Sequence, residues 1–318
     1  MKKILLPVVA ALLVLTACGS SDSNKSNKST KSSGKEQSST SAAKTSAPQT
    51  STAPTSVPRG PRRIVSLSPT ATEMLFAVGA GDQVVAVDDQ SNYPAKAPKT
   101  KLSAYTPNVE AIAKYKPDLV VIAEDTKGLK AGLEKLHLKV LIEPAAVTTA
   151  DTYRQVLALG EATGHGDEAK KENASIKRRL AAAVKNLPHR AKPLTYYYEL
   201  DNTLYSATSK TFIGSLFRLA GLRNIADPAD KGGKSGGYPQ LTAEYLVTAN
   251  PDLVFLADTK CCKQNAKTFA ARPGFAGLHA VTAKQVVPLD DDIASRWGPR
   301  IVDLLKKIVA AVRAVPAS

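Results

Sequence analysis

Two continuous apolar runs, each preceded by a Pro-Asp pair, organise the hydrophobic pattern of the chain. Residues 119–123 follow Pro-Asp at 117–118, and residues 253–257 follow Pro-Asp at 251–252. Both runs are short, partly β-branched and without alternation, which is typical of parallel strands buried on both faces. A short helical pattern precedes each pair and must end there, because proline cannot continue a helix. The repeat predicts two similar α/β lobes, each holding one copy.

Other short apolar runs predict the remaining strands of the two lobes. They lie at 62–67, 84–87, 139–142, 194–200 and 286–289. Together they predict mostly parallel central sheets, in an N-terminal lobe over 62–150 and a C-terminal lobe over 191–315.

A helical stretch separates the lobes and is predicted to link them. The pattern over 149–187 is helical and is interrupted at 163–167, where we expect a stop at glycine and a restart capped by Asp167. The restarted part is long enough for one rigid helix of roughly 30 Å. We assign the linking segment to 151–190 and expect a ligand cleft between the lobes.

Local signals also predict two helix starts. Ser68 or Thr70 is expected as the N-cap of the first helix, with Glu73 completing a capping box with Thr70. Pro299 is expected as the first residue of the terminal helix.

The N-terminus carries an export signal. Lys2 and Lys3 precede an apolar stretch, 4–15, that is too short to be a good membrane span. Small residues then lead to Cys18, a pattern that resembles a bacterial lipobox, so we predict a lipoprotein signal over 1–18 with lipidation of Cys18. The alternative is an ordinary signal peptide with a chance cysteine.

The composition changes sharply after Cys18. Residues 19–61 are rich in Ser, Thr and Lys and nearly free of large apolar side chains, which predicts a disordered tether. The formal net charge of the chain is +15. Part of that charge lies in the tether, close to an anionic membrane or cell wall. Because the protein is exported, the charge does not indicate a nucleic-acid partner.

Several motifs together resemble the helical-backbone (class III) solute-binding proteins of ABC importers, the family that binds ferric siderophores, haem and vitamin B12. They lie at 64–73, 91–94 and 238–244, beside the two Pro-Asp-Leu-Val strands. Within this family the chain resembles the vitamin B12-binding proteins most. The resemblance implies two lobes around a cleft, a metal chelate as ligand without a further cofactor, and an ABC permease dimer with its ATPase as partner. It also implies a monomer anchored at the extracytoplasmic face of the membrane.

Two alternatives to a chelate receptor stay open. A receptor of the same class for haem or for a bare zinc or manganese ion is one, although His137, His165, His189 and His279 are scattered and predict no metal site. The other is an enzyme on this fold, such as a chelatase or reductase. No Ser-His-Asp arrangement, paired acid and base or nucleotide fingerprint is present, so we expect no enzyme.

The resemblance implies that one surface glutamate on each lobe contacts permease arginines. Matching the motifs places them at Glu110 and Glu244, equivalent positions of the two repeat copies. A pseudo-symmetric pair of charges suits a two-fold permease. Each glutamate also suits the first turn of its own helix, where it stabilises the helix dipole.

The ligand of this family lies between the lobes, against aromatic side chains. The resemblance assigns Tyr238 and Tyr105 to the cleft, and Gln90 to a position that B12 binders usually fill with an aromatic residue. Asp292, Arg296 and Trp297 lie in the last loop, which also faces the cleft. Core packing is the alternative role of Trp297, the single tryptophan.

Cys261 and Cys262 follow the second repeated strand, on the cleft side. In an oxidising compartment an adjacent pair can close into a vicinal disulfide or remain as free thiols. A metal site is the least favoured use, because spaced Cys or His ligands are missing.

Overall fold

The computed structural model describes residues 60–316. The predicted signal segment, Cys18 and nearly all of the predicted tether lie outside these residues. Among the helices of 60–316, none is long and apolar enough to span a membrane.

The first lobe is built on a four-stranded parallel sheet in the order β2-β1-β3-β4. Its strands are β1 (Ile64–Leu67), β2 (Val84–Val87), β3 (Leu119–Ile122) and β4 (Val140–Ile142). Its helices are α1 (Pro69–Ala77), α2 (Val109–Ala113) and α3 (Leu129–Glu134).

The second lobe repeats this architecture with the sheet order β6-β5-β7-β8, again all parallel. Its strands are β5 (Thr195–Glu199), β6 (Arg223–Asn224), β7 (Leu253–Leu256) and β8 (Val286–Pro288). Its helices are α6 (Phe212–Leu219), α7 (Ala243–Ala249), α8 (Ala266–Ala270), α9 (His279–Thr282), α10 (Asp291–Ala294) and α11 (Ile301–Ala314). The two-residue strand β6 was not predicted, because a pair of residues has no hydrophobic period.

The repeated segment takes the same place in both sheets. Ile64 of β1 pairs with Leu119 of β3, and Tyr196 of β5 pairs with Leu253 of β7. Before each Pro-Asp pair the backbone turns left-handed, with φ of 48° at Lys116 and 41° at Asn250. Both helices end before the proline, as predicted, although α2 already ends at Ala113, whereas α7 continues to Ala249.

The aspartate of each repeat fastens the strand beside it. The Asp118 carboxylate accepts the backbone N–H groups of Arg62 and Arg63 at 2.8 and 2.9 Å, just before β1 begins. The Asp252 carboxylate accepts the N–H and the hydroxyl of Thr195, the first residue of β5, at 2.7 and 2.8 Å. Each Pro-Asp pair therefore ends a helix and also fixes the start of the central strand.

Two helices, α4 (Thr149–Thr163) and α5 (Gly166–Val184), connect the lobes. The longer, α5, contributes Ala169 to the core of the first lobe and Ile176 and Leu180 to that of the second. One helix of 19 residues therefore spans both lobes, as predicted. The predicted cap is wrong: α4 ends at Thr163 with Gly164 as its C-cap, and α5 begins at Gly166 with His165 as its N-cap.

Of the two other predicted helix starts, the Ser68 cap is confirmed, whereas the capping box at Glu73 and the start at Pro299 are wrong. The N-cap of α1 is Ser68, whose hydroxyl accepts the N–H of Ala71 at 3.3 Å. Thr70 and Glu73 form no capping box there, because the Glu73 carboxylate is bound to two arginines of the second lobe. Helix α11 begins at Ile301, after Pro299, with Arg300 as its N-cap.

Candidate functional site

A cavity of about 300 Å³ lies where the strand ends of the first lobe meet the segment after the last strand of the second. In a parallel sheet all carboxyl ends share one edge, which brings these loops together. The first lobe contributes Leu67, Ser68, Asp88, Gln90, Tyr105 and 122–124, and the second contributes Asp292, Ser295, Arg296 and Trp297. Five of the six predicted ligand residues therefore line one cavity, and Tyr238 does not.

Arg296 is buried, and its guanidinium group donates four hydrogen bonds to neighbouring side chains and one carbonyl. Its Nη1 donates to Glu73 Oε1 at 3.0 Å and to Asn92 Oδ1 at 2.9 Å. Its Nη2 donates to the Gln90 carbonyl and to Asp292 Oδ1, both at 2.9 Å. The guanidinium thus ties the last loop to the first lobe, and its four terminal N–H groups are occupied.

Glu73 is the centre of this contact between the lobes. Its side chain is 1% exposed and accepts hydrogen bonds from Arg296 and from Arg300, whose Nε lies 2.9 Å from Oε2. Asn92 Nδ2 reaches Asp292 Oδ2 at 3.0 Å on the same side. Buried ion pairs of this kind hold a geometry, since removing one partner leaves an unpaired buried charge.

Trp297 combines the two roles considered from its sequence. It lines the cavity and packs against the cores of both lobes. Its Nε1 donates to Gln155 Oε1 at 2.7 Å, and its carbonyl accepts the Thr152 hydroxyl at 2.9 Å. The ring is therefore held by α4, and only part of it is available to a ligand.

The two tyrosines predicted for the cleft lie on different lobes, and both are open to solvent. Tyr105 is 74% exposed at the rim of the cavity, and Tyr238 is 46% exposed directly after the Gly-rich segment 230–237. Tyr205 was not predicted. It is 41% exposed, and its antiparallel bridge with Gln240 places it diagonally opposite Tyr238, a spacing that aromatic side chains can span. Tyr205 belongs to no motif that would have marked it as a ligand contact, and the lobe around it contains several other aromatic residues.

Buried carboxyl groups lie at the strand ends of both lobes. In the first lobe, burial raises the pKa of Asp88 to about 6, while its Oδ1 accepts the hydroxyl of Ser91. In the second, burial and the neighbouring Glu199 raise the pKa of Asp258 to about 7. Glu199 itself is bound by both Nη atoms of Arg272 at 2.7 and 2.6 Å.

The loop that carries the two cysteines is held by Asp291. The Asp291 carboxylate accepts the N–H groups of Thr259, Lys260 and Cys261 at 2.8 to 3.0 Å. In the structure Cys261 is an exposed free thiol and Cys262 is a half-buried one. The vicinal disulfide stays a prediction. Within residues 60–316 no group of three His, Cys, Asp or Glu side chains converges as a metal site.

Glu110 and Glu244 both lie exposed in the first turns of α2 and α7. Thr242, the N-cap of α7, accepts the Tyr245 N–H at 3.1 Å. Hydrogen bonds from the Glu244 backbone and Thr242 lower the pKa of Glu244. The two carboxylates therefore occupy matching places on the two lobes.

A family profile described as "Periplasmic binding protein" matches residues 64–293. The chain belongs to this family. Among its relatives is the uncharacterized ABC transporter substrate-binding lipoprotein YvrC of Bacillus subtilis, 28% identical over 80% of this chain and 81% of that protein. A cobalamin-binding protein of Halobacterium salinarum is 31% identical over 79% of this chain and 69% of its own length.

Solved structures of the family share the fold. The vitamin B12-binding protein BtuF of Vibrio cholerae superposes with a TM-score of 0.66 and 26% identity, over 80% of this chain and 97% of that one. A possible iron-binding protein of Staphylococcus epidermidis gives 0.69 and 26%, over 80% and 99%. These relatives are substrate-binding transport proteins and not enzymes. The predicted class III, two-lobed α/β fold is confirmed.

Proposed function

We propose that this member of the family is a lipid-anchored, extracytoplasmic receptor that captures a metal chelate, a corrinoid or a ferric siderophore, and delivers it to an ABC permease. The observation that carries the proposal is the cavity between the lobes, with Tyr105 at its rim and Trp297 in its wall. A broad, partly apolar ligand suits such a site.

The cavity and the exposed tyrosines match a ligand larger than the cavity itself. A volume of about 300 Å³ takes part of a chelate. Tyr238 and Tyr205 do not line the cavity but are exposed on the second lobe, and we expect the rest of a broad ligand to reach them. The named relatives that bind cobalamin and vitamin B12 support the corrinoid. A bare ion would need converging ligands, which residues 60–316 do not bring together.

Calorimetric titration of the purified protein tests the proposal. The panel contains cyanocobalamin, haemin, a ferric hydroxamate, a ferric catecholate and zinc chloride, with Trp297 fluorescence recorded in parallel. We expect one corrinoid or siderophore to bind with a Kd of about 1 µM or tighter. Binding of zinc alone, of haemin alone, or of no compound would refute the chelate assignment.

The lipid anchor is tested separately. Metabolic labelling with a radioactive fatty acid should mark the wild-type protein, and Cys18→Ala should abolish the label. Persistence of the label in that variant would place the modification elsewhere.

A further inference from the structure

The charge of the cavity is opposite to that of the chain. The chain carries a formal net charge of +15. Yet the cavity is lined by three carboxylates, Asp88, Glu124 and Asp292, and among its lining residues in the described chain Arg296 is the sole cation. A positively charged protein therefore presents an acidic surface to its ligand.

Arg296 does not neutralise this negative charge, because its own positive charge is already paired with Glu73 and Asp292. Around it the described contacts join three cations to three carboxylates: Arg296, Arg300 and Lys260 to Glu73, Asp290 and Asp292. That network is neutral as a whole. Asp88 and Glu124 lie outside it, so they are the uncompensated charges of the cavity.

Asp88 has one side-chain oxygen without a protein partner. The residue is 2% exposed, and its Oδ1 accepts the hydroxyl of Ser91. That hydroxyl ends a buried chain in which the Ser91–Thr72 and Thr72–Ser66 oxygens are each 2.9 Å apart. Its Oδ2 is buried and has no hydrogen-bond partner in 60–316. Oδ2 is an acceptor whether or not the carboxyl is ionised. A buried acceptor is costly unless a donor reaches it.

We propose that the cavity selects chelates that are neutral or cationic and that present N–H or O–H donors, with Asp88 receiving one of them. The inference rests on the proposed function and names its substrate class. A ligand edge bearing primary amides meets Asp88 and Glu124 favourably. A ligand edge bearing carboxylates or a polyanionic metal centre is repelled by both, in a site where water screens charge poorly.

A matched pair of corrinoids provides the test. Cobinamide carries amide side chains, and cobyrinic acid carries carboxylates on the same ring around the same metal. We expect the amide form to bind the wild-type protein at least about tenfold more tightly, because two carboxylates in the cavity oppose the acid form. A ferric hydroxamate of positive charge and a ferric catecholate of negative charge repeat the comparison on a different scaffold.

Variants locate the effect. Asp88→Asn combined with Glu124→Gln should bring the two corrinoid affinities to within about threefold, because both uncompensated charges are removed. The matched control, Asp89→Asn with Glu134→Gln, removes the same charges from exposed positions that do not line the cavity and should leave the preference intact.

A second pair of variants tests the hydrogen bond. Asp88→Leu should weaken binding of cobinamide about tenfold, whereas Asp88→Asn, which retains a carbonyl acceptor, should weaken it by no more than about threefold. Circular dichroism shows whether each variant is folded, and a failure of both to bind with folds intact would contradict the acceptor role.

The outcomes separate this inference from the function on which it rests. Equal or tighter binding of the carboxylate corrinoid, or of the ferric catecholate over the hydroxamate, overturns the charge rule and leaves a chelate receptor. Failure of every chelate in the panel overturns the receptor and the charge rule together.

Discussion

The two lobes share one sheet order and one repeated strand, but their cleft edges differ. The first lobe leaves its strand ends open, and loops after three strands line the cavity. In the second lobe the last residue of β5, Glu199, is buried and paired with Arg272, and none of the strand-end residues of β5, β6 or β7 lines the cavity. The repeated scaffold thus fixes the sheet, while the residues beyond each strand decide how much of the cavity a lobe lines.

The largest effect is expected at the ion pairs that distinguish the lobes. Glu73→Gln should lower the free energy of unfolding by about 3 kcal/mol, because Arg296 and Arg300 lose their shared buried carboxylate. Chemical denaturation measures the loss. Glu199→Gln should cost a similar amount, since Arg272 is left unpaired within the second lobe.

Hydrogen exchange then separates the two variants. Glu73→Gln should increase exchange in 290–297, because that loop is held to the first lobe through Arg296, and Glu199→Gln should not. Asp303→Asn is the control on an exposed ion pair with Arg179 and should change stability by less than about 0.5 kcal/mol. Equal exchange in 290–297 for all three would mean that the loop does not depend on Glu73.

The buried aspartates give the next largest effect, and it depends on pH. The pKa of Asp258 is raised to about 7 in the folded state, so the contribution of this group to stability is greatest in acid and falls as pH rises from the unfolded value of 3.8 through 7. Asp258→Asn should therefore raise the unfolding free energy by about 2 kcal/mol at pH 8 and leave it nearly unchanged near pH 4.

Asp88 sharpens this comparison, because its pKa is raised less, to about 6. Asp88→Asn should give a smaller gain at pH 8, and that gain should level off near pH 6 instead of near pH 7, while both gains disappear near the unfolded pKa of 3.8. Urea denaturation at five pH values between 4 and 8 measures both. A gain that grows as the pH falls would show that the sign is wrong.

Docking to the permease tests whether the exposed glutamates of the two lobes, Glu110 and Glu244, contribute equally. Glu110→Arg and Glu244→Arg should each reduce stimulation of the importer's ATPase about tenfold, with ligand affinity unchanged, because both glutamates are exposed and start matching helices. The assay uses the importer in proteoliposomes. Lys114→Glu, on an exposed site beside α2, should have little effect. A loss confined to one glutamate would mean that the lobes dock unequally.

The smallest effects are expected at the exposed tyrosines. Tyr238→Ala should weaken chelate binding about tenfold and Tyr105→Ala about threefold, because the more exposed Tyr105 side chain loses more conformational freedom when a ligand orders it. Tyr205→Ala should resemble Tyr238→Ala if the two rings share one ligand face. Calorimetry measures all three, and Tyr115→Ala, outside the cavity, is the control.

Much of this fold could be predicted because its signals are local. The Pro-Asp strands revealed both lobes, and the glycine stop at Gly164 located the linking helices. The cavity residues came largely from the family resemblance, because loops after parallel strands meet only in three dimensions. Gln90, Tyr105 and Trp297 share one cavity although the sequence separates them widely.

What the sequence could not predict is pairing over distance. Glu73 looked like half of a capping box, yet its partners lie in the second lobe. Glu199 and Arg272 are 73 residues apart, and no periodicity links them. Charges at such separations become informative only after packing brings them into a medium that excludes water.

The segment 290–297, which contains α10, affects how lobes could be exchanged between related proteins. By chain order it belongs to the second lobe, but its arginine is bonded to Glu73, Gln90 and Asn92 of the first. A chimaera that takes its second lobe from another protein would therefore replace residues that line the binding cavity. It would also lose the matched contacts of Arg296 with Glu73, Gln90 and Asn92. The functional boundary runs through the chain before Asp290, so a working hybrid should inherit residues 290–300 together with the first lobe.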